Sequence, residues 1–284
     1  MQKFTLHTHT IGFDGKNTVL EMIASARAAG FDTLGVSNHF IVHPKIKESR
    51  MYPYAVRGGY SAIYSDSFDE VMDKFRAHYT ELRQLQSESN IRILCGAEVD
   101  FFPTRAWRDG FLRAVDELSP DYLIGSAHFV YYDGNLCNVH DIANVDADVR
   151  DEILGIYWDN VAAAATSGLF NFMAHIDLPK KVGIGRTDKW CAAENRALDA
   201  IADSGTAMEI NTGLYRPEIY EPYPSARILR AAAARNIPVL LSDDAHAANQ
   251  IGRNFDIARQ FAHDCGVNNF ITLQNLLDFP RKSR

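Results

Sequence analysis

Two histidines stand one residue apart near the start of the chain, in the run FTLHTHTIGFDG at residues 4–15. On a β-strand, residues i and i+2 project to the same side. His7 and His9 would then offer two imidazoles to one point, which is how a metal is gripped. A pair of this kind also occurs where core histidines merely hydrogen-bond, so the metal reading needs partners elsewhere. Asp244 and His246 form a second i, i+2 pair, and His39, Glu98, His128 and His175 each stand near the C-terminal end of an apolar, strand-like run. Of the ten histidines, only His43, His78, His140 and His263 fall elsewhere, and His78 and His263 sit in helical patterns as surface or packing residues.

A buried lone glutamate is costly. Glu98 lies in ILCGAEVDFF, whose neighbours offer no local cation, although a distant Arg or Lys would also satisfy it. Asp14 follows the first strand, and with His39 and His246 it is placed to hold a further ion; its competing reading is a turn residue, since Asp14-Gly15 is a turn dipeptide. Asp243 competes with Asp244, but the spacing to His246 favours Asp244. Nine donors exceed the four to six that one ion takes. Two or three divalent ions are expected, with Glu98 as the bridge, and mixed imidazole–carboxylate shells accept zinc, iron or manganese.

Alternating β and α patterns must position these groups. Strands are expected at residues 4–9, 33–39, 91–101, 121–129, 169–177, 206–212 and 237–246. Thr18 and Glu21 form a capping box that opens a helix, and Gly30 stops it. Ser67 and Glu70 form a second box, with a helix running to about residue 87. Further helices are expected near 106–118, 146–167, 189–203 and 255–265, and Pro224 is expected to start one more. The 40–65 segment reads as a long loop with Pro44, Pro53 and Gly58-Gly59, and another loop runs from the fourth strand to about residue 146. Seven βα units without a composition break point to one α/β domain over residues 1–284, with a parallel sheet closed as a barrel. In such barrels the site sits at the C-terminal mouth, built from the ends of different strands. An open doubly wound sheet is the alternative, but no GxGxxG follows the first strand.

The composition is that of an ordinary globular protein, 46% hydrophobic and 23% charged. A net charge of −7 argues against nucleic-acid and membrane-surface binding. It leaves an anionic substrate open, because bound cations reverse the local field. The four cysteines are far apart and form no CxxC, which reads as reduced thiols in a cytoplasmic protein. The chain enters a strand pattern at once, without a signal-peptide pattern. The apolar stretch 161–174 is broken by Thr166, Ser167, Gly168 and Asn171 and is not a membrane span. Oligomeric state is not legible.

The motifs HTH (7–9), SNHF (37–40), GAEVDF (96–101), IGSAHF (124–129), AHIDLPKK (174–181), EINTGLYR (209–216), PYPS (222–225) and SDDAH (242–246) together resemble the polymerase-and-histidinol-phosphatase (PHP) family, most closely its monofunctional histidinol-phosphate phosphatases. The resemblance runs from Phe4 to about Gly266, and GLFNFMAHIDLPKK, EINT and EPYPS are its more branch-specific parts. It implies a distorted, TIM-like (β/α)7 barrel with a trinuclear centre. His7, His9, Glu98 and Asp244 would hold one ion, Glu98, His128 and His175 the second, and Asp14, His39 and His246 the third. Two departures stand out: Asn38 where the family usually has Asp, next to the His39 ligand, and the extra Asp of SDDAH.

The chemistry such a centre favours is hydrolysis of a small-molecule phosphate monoester, by attack of a hydroxide held between metals and supported by Glu98, Asp244 and His246. Arg216 is the first candidate for a phosphate clamp, because its planar fork matches phosphate. Arg186 is the second, and Asn211 is a candidate substrate contact that could equally cap its strand. Asp243, His43 or a metal-bound water would protonate the leaving group. Tyr52, Tyr54 and Tyr60 could close over an imidazole ring or pack as a plain surface loop. The resemblance implies L-histidinol phosphate as substrate. The rivals are a family phosphoesterase for nucleotides or cyclic ribose phosphates, and a metal-binding module without catalysis.

Overall fold

Short runs buried on both faces make the sheet, as expected of parallel strands covered by helices. The computed structural model describes residues 2–184, 188–214 and 221–281. Its barrel strands are β1 Phe4–Thr5, β2 Thr33–Val36, β3 Arg92–Asp100, β4 Tyr122–Ser126, β5 Phe172–Met173, β6 Ala207–Asn211 and β7 Val239–Ser242. They lie in chain order and every pair is parallel. The connecting helices are α1 Val19–Ala28, α2 Phe68–Glu88, α3 Arg105–Leu118, α4 Ala147–Thr166, α5 Asp188–Ser204, α6 Ala226–Ala234 and α7 Phe255–Asp264, and α8 Leu273–Leu277 follows. The result is a nearly closed seven-stranded barrel of the expected α/β class. No helix among the described residues is long and apolar enough to cross a membrane.

The seam between β1 and β7 is closed at two heights. At the lower end, the Gln2 amide stands in for a strand, donating to the Leu241 carbonyl and accepting the Leu241 N–H. At the upper end, His9 N–H donates to Ala245 O at 2.9 Å and Ala245 N–H donates to His7 O at 3.1 Å. The backbone that closes the barrel is therefore the backbone that carries the two i, i+2 pairs, His7/His9 and Asp244/His246.

Inside the barrel, Phe4, Leu6, Leu94, Tyr122, Ile124, Phe172, Ala174, Ala207, Leu240 and Leu276 form a separate apolar core. Leu276, from α8, caps its lower end, where Asn171 Nδ2 donates to the Leu276 carbonyl. Tyr122 fills the middle. Its hydroxyl donates to Leu6 O at 2.5 Å, and its ring lies where a Cβ on Gly96 would fall, 2.2 Å from Cζ. Leu94, Gly96 and Glu98 share one face of β3. The face is thus apolar at the floor, bare where Tyr122 crosses, and acidic at the top.

Several local expectations change. The strand expected at 33–39 breaks at Ser37-Asn38, because β3 pairs first with β2 and then with a separate strand, His39–Val42, in the register His39↔Glu98. The 40–65 segment is not a bare loop; it contains that strand, a helix at Tyr52–Gly58 and a strand at Tyr64–Ser65. The segment after β4 folds as an antiparallel hairpin, Phe129–Tyr132 with Asn135–Asn138, and a short helix, Val139–Ile142. The Thr18/Glu21 capping box forms. The Ser67/Glu70 box does not, because the Ser65 hydroxyl takes both the Ser67 N–H and the Glu70 carboxylate. Pro224 precedes the N-cap of α6, Ser225, instead of opening the helix.

The Tyr122 packing is testable. Gly96→Ala is expected to cost about 1–3 kcal/mol by overpacking, and Tyr122→Phe about 1 kcal/mol through the lost bond to Leu6. Urea unfolding measures both; a Gly96→Ala midpoint equal to wild type would contradict the close approach.

Candidate metal centre

The nine metal-type residues come from separate stretches of chain and converge on the C-terminal mouth. His7 and His9 follow β1, Glu98 lies in β3, His128 follows β4, His175 follows β5, and Asp244 and His246 follow β7. His39 opens the strand paired beside Glu98. Asp14 is brought in by a tight turn in which Phe13 and Gly15 both donate their N–H to Thr10 O. Gly15 is required there, since a Cβ would fall 2.5 Å from the His9 carbonyl. His175 and Asp244 adopt positive φ, 22° and 48°. Such strain in residues other than glycine persists where surrounding structure over-determines it.

Glu98 is fully buried and splits its oxygens. Oε1 lies 2.9 Å from His175 Nε2 and 3.5 Å from His128 Nε2. Oε2 lies 2.9 Å from His39 Nδ1, 3.3 Å from His7 Nε2 and 3.6 Å from His9 Nε2. Among the described residues its ion-pair partners are imidazoles, not the Arg or Lys of the alternative reading. Asp244 Oδ1 lies 3.3 Å from His9 Nε2 and 3.6 Å from His7 Nε2. Asp14 Oδ2 lies 3.0 Å from His246 Nε2 and 3.1 Å from His39 Nε2.

The donors fall into four overlapping sets whose atoms lie within 4.8 Å of one another: His9, Asp14, His39 and His246; His7, His175 and Asp244; His7, His9 and Glu98; and His39, Glu98 and His128. The implied division into three sets is therefore only partly reproduced. His9 also belongs with the Asp14 set, and His175 groups with His7 and Asp244 as well as facing Glu98 Oε1.

The donor chemistry fits metal ions. His7 Nε2, both ring nitrogens of His9, His39 Nδ1, His175 Nδ1, Asp14 Oδ1 and Glu98 Oε2 are buried without a hydrogen-bond partner. Each such atom costs about 1–3 kcal/mol unless something binds it. Burial alone would push the carboxyls of Glu98, Asp14 and Asp244 up, but the surrounding imidazoles hold all three well below the usual range. They are therefore anionic, as metal ligands must be.

Two further carboxylates orient the imidazoles. Glu209 Oε2 accepts from His7 Nδ1 at 2.8 Å, and its other oxygen accepts the His175 N–H at 2.9 Å. Asp100 Oδ2 accepts from His128 Nδ1 at 2.9 Å, and Oδ1 accepts the His128 N–H at 2.7 Å. A carboxylate behind a histidine fixes its tautomer and aims the other nitrogen at the metal. Sequence reasoning missed both. The signal was a second buried acid or amide two residues along the same strand face, Glu98/Asp100 and Glu209/Asn211.

Asn211 itself is fully buried. Its Nδ2 donates to Glu209 and Asp244, and its Oδ1 accepts the Gly213 N–H. It stands behind the acids, against the expectation of a substrate contact.

The centre opens into a cavity of about 420 Å³. Its outer walls include Met51, Tyr60 and Tyr64 from the 40–65 segment, Asn138 at the end of the hairpin, His140 from the short helix after it, and Lys181. Tyr52 and Tyr54 do not line it. Asp243 is buried beneath, bonded to Thr5 Oγ1 and the Gly252 N–H, and burial pushes it up to about 6. His43 packs against Phe102, its ring tilted by 45°, in a different hollow. Neither expected proton donor lines the cavity. Arg186 and Arg216 lie outside the described residues.

Asp100→Asn and Glu209→Gln are each expected to weaken metal retention about 10–100-fold. Competition with a chelator, followed by metal quantification, measures this. Wild-type retention in both variants would show that the carboxylates do not support the ligands.

Comparison with known proteins agrees with this geometry. The PHP domain family model matches residues 4–213. A Deinococcus radiodurans protein described as "Probable histidinol-phosphatase" is 33% identical over 198 residues, 69% of this chain and 74% of that one. A Schizosaccharomyces pombe protein of the same description is 22% identical over 293 residues, 94% of this chain and 88% of that one. Histidinol phosphate phosphatase from Lactococcus lactis, solved with zinc, L-histidinol and phosphate, superposes with a TM-score of 0.69 at 19% identity, covering 95% of this chain and 96% of that one. The chain belongs to the PHP family and is a metal-dependent phosphoesterase of that family.

Proposed function

We propose that this chain hydrolyses L-histidinol phosphate to L-histidinol and phosphate. His7, His9, Asp14, His39, Glu98, His128, His175, Asp244 and His246 would hold two or three ions of zinc, iron or manganese. The observation that carries the reading is the clustering of these side chains, with seven partnerless buried atoms, at the base of one cavity of about 420 Å³. Divalent ions bound there supply charge neutralisation for phosphate and bring the pKa of water close to neutral.

The chain's own residues do the rest. Glu98 spans the cluster because each of its oxygens faces different imidazoles. Glu209 and Asp100 keep His7 and His128 in the tautomers that leave Nε2 facing Glu98. Lys181 adds a cation to the cavity wall, and Arg216 and Arg186 remain the proposed phosphate clamps. The walls suit a compact organic group: Tyr60 and Tyr64 provide flat surface, and Asn138 and His140 provide polar contacts. The relative with histidinol-phosphatase as its description, at 33% identity, supports this substrate over others of the family.

A phosphate-release panel tests the proposal. Histidinol phosphate is expected to exceed nucleoside monophosphates and cyclic ribose phosphates in kcat/KM. Chelation is expected to abolish turnover, and added divalent ions to restore it. A nucleotide as best substrate would assign the chain to another phosphoesterase activity. Arg216→Ala is expected to raise KM or lower kcat by about 10-fold or more, as for loss of a charge-assisted bond of about 1.5–3 kcal/mol. Unchanged kinetics would remove Arg216 from the site.

A further inference from the structure

His78 is a buried histidine on α2, a helix that carries none of the nine donors. Its Nε2 lies 3.0 Å from Asn38 Nδ2. Asn38 is itself fully buried, in the break between β2 and the His39 strand. Its Oδ1 accepts the Thr10 N–H at 2.8 Å, and its Nδ2 also reaches Thr10 Oγ1 at 2.9 Å. A backbone N–H can only donate, so the Thr10 contact settles which end of the amide is oxygen. Nδ2 must then donate to His78, and His78 Nε2 must accept.

That assignment requires a neutral ring with its proton on Nδ1, the side facing Glu81 at 3.7 Å. Burial and the nearby Lys74 push the His78 imidazole down to about 4, consistent with a neutral acceptor.

Thr10 is the hub of this link. Its N–H is held by Asn38, and its carbonyl holds the turn that presents Asp14. Thr10 directly follows His9, and Asn38 directly precedes His39. One amide thus ties together the two backbone segments that supply His9, Asp14 and His39. The fourth member of that set, His246, comes from the seam. The same helix braces the turn a second time: the Phe13 ring packs edge-on to His78 and to Phe75, at 5.3 Å in each case, and Lys74 Nζ lies 4.0 Å over Phe13.

Resting on the metal-centre reading above, we infer that His78 is a positioning residue for the His9–Asp14–His39–His246 set, acting through Asn38. Without an acceptor at 78, Asn38 keeps only its Thr10 bonds, and the link between the Thr10 and His39 segments, otherwise carried by Ser37 and Thr8, loses its anchor to α2. Glu209 and Asp100 hold His7 and His128 independently, but His9 and His39 also belong to Glu98-centred sets, so the effect should be greatest on the ion of the Asp14 set and smaller on its neighbours.

The test is zinc titration of the whole chain against graded chelator, with zinc quantified per folded chain. His78→Leu keeps apolar bulk beside Phe13 and Phe75 but removes the acceptor. It is expected to weaken one ion about 10–100-fold and the others less. His78→Gln restores an acceptor and is expected to recover most of the loss. If His78→Leu does not fold, Asn38→Ala tests the same link from the other side, with the same uneven loss expected. Wild-type retention of every ion in the variant would overturn the inference, as would an equal weakening of all ions. Absence of bound zinc in the wild type would instead overturn the metal-centre reading itself.

Discussion

The structure depends on one costly placement: a carboxylate, Glu98, fully buried at the top of a barrel strand, whose ion-pair partners among the described residues are imidazoles. An isolated buried charge of this kind would neutralise itself by taking a proton. Here the surrounding rings hold it anionic. Imidazoles can play that part only if they are themselves charged or share metal ions with it. Burial lowers His7, His39 and His175, but the carboxylates beside them raise all three, so charged rings supply part of the balance; metal ions would in addition occupy the ring nitrogens that no hydrogen bond reaches.

Much of the remaining architecture serves that placement. Tyr122, fitted into the space left by Gly35 and Gly96, separates the barrel interior from the polar top. The break at Ser37-Asn38 moves the ladder of β3 onto a new strand, and this sets His39 level with Glu98. The seam closes through the backbone of His7, His9 and Ala245, so barrel closure and ligand placement share the same bonds. Strain at His175 and Asp244 is concentrated where the donors must turn inward.

The barrel class, the order of its seven βα units and the gathering of nine donors at one mouth were legible because each rests on local pattern: apolar runs, i, i+2 pairs and capping residues. What was not legible depends on contacts far apart in the chain. The local i, i+2 pairs Glu98/Asp100 and Glu209/Asn211 do not say which histidine each acid holds; that emerges only when His7 and His128 arrive beside them. Asn211 read equally as a substrate contact or a strand cap; its amide bonds Glu209 on its own strand, the Gly213 N–H just beyond it and Asp244 after β7. Asp243 and His43 looked available as proton donors, yet one faces Thr5 beneath the site and the other a separate hollow. Ser67 lost its capping role to Ser65, a competition between two equivalent hydroxyls that spacing alone does not decide.

The central claim, that Glu98 is buried because it shares metal ions with the surrounding histidines, is tested most directly by anomalous scattering from a zinc-loaded crystal. The account predicts zinc within bonding distance of both Glu98 oxygens, one ion reached by His7 or His9 and another by His128 or His175. A Glu98 carboxylate hydrogen-bonded to imidazoles alone, with no anomalous peak beside it in saturating zinc, would contradict it.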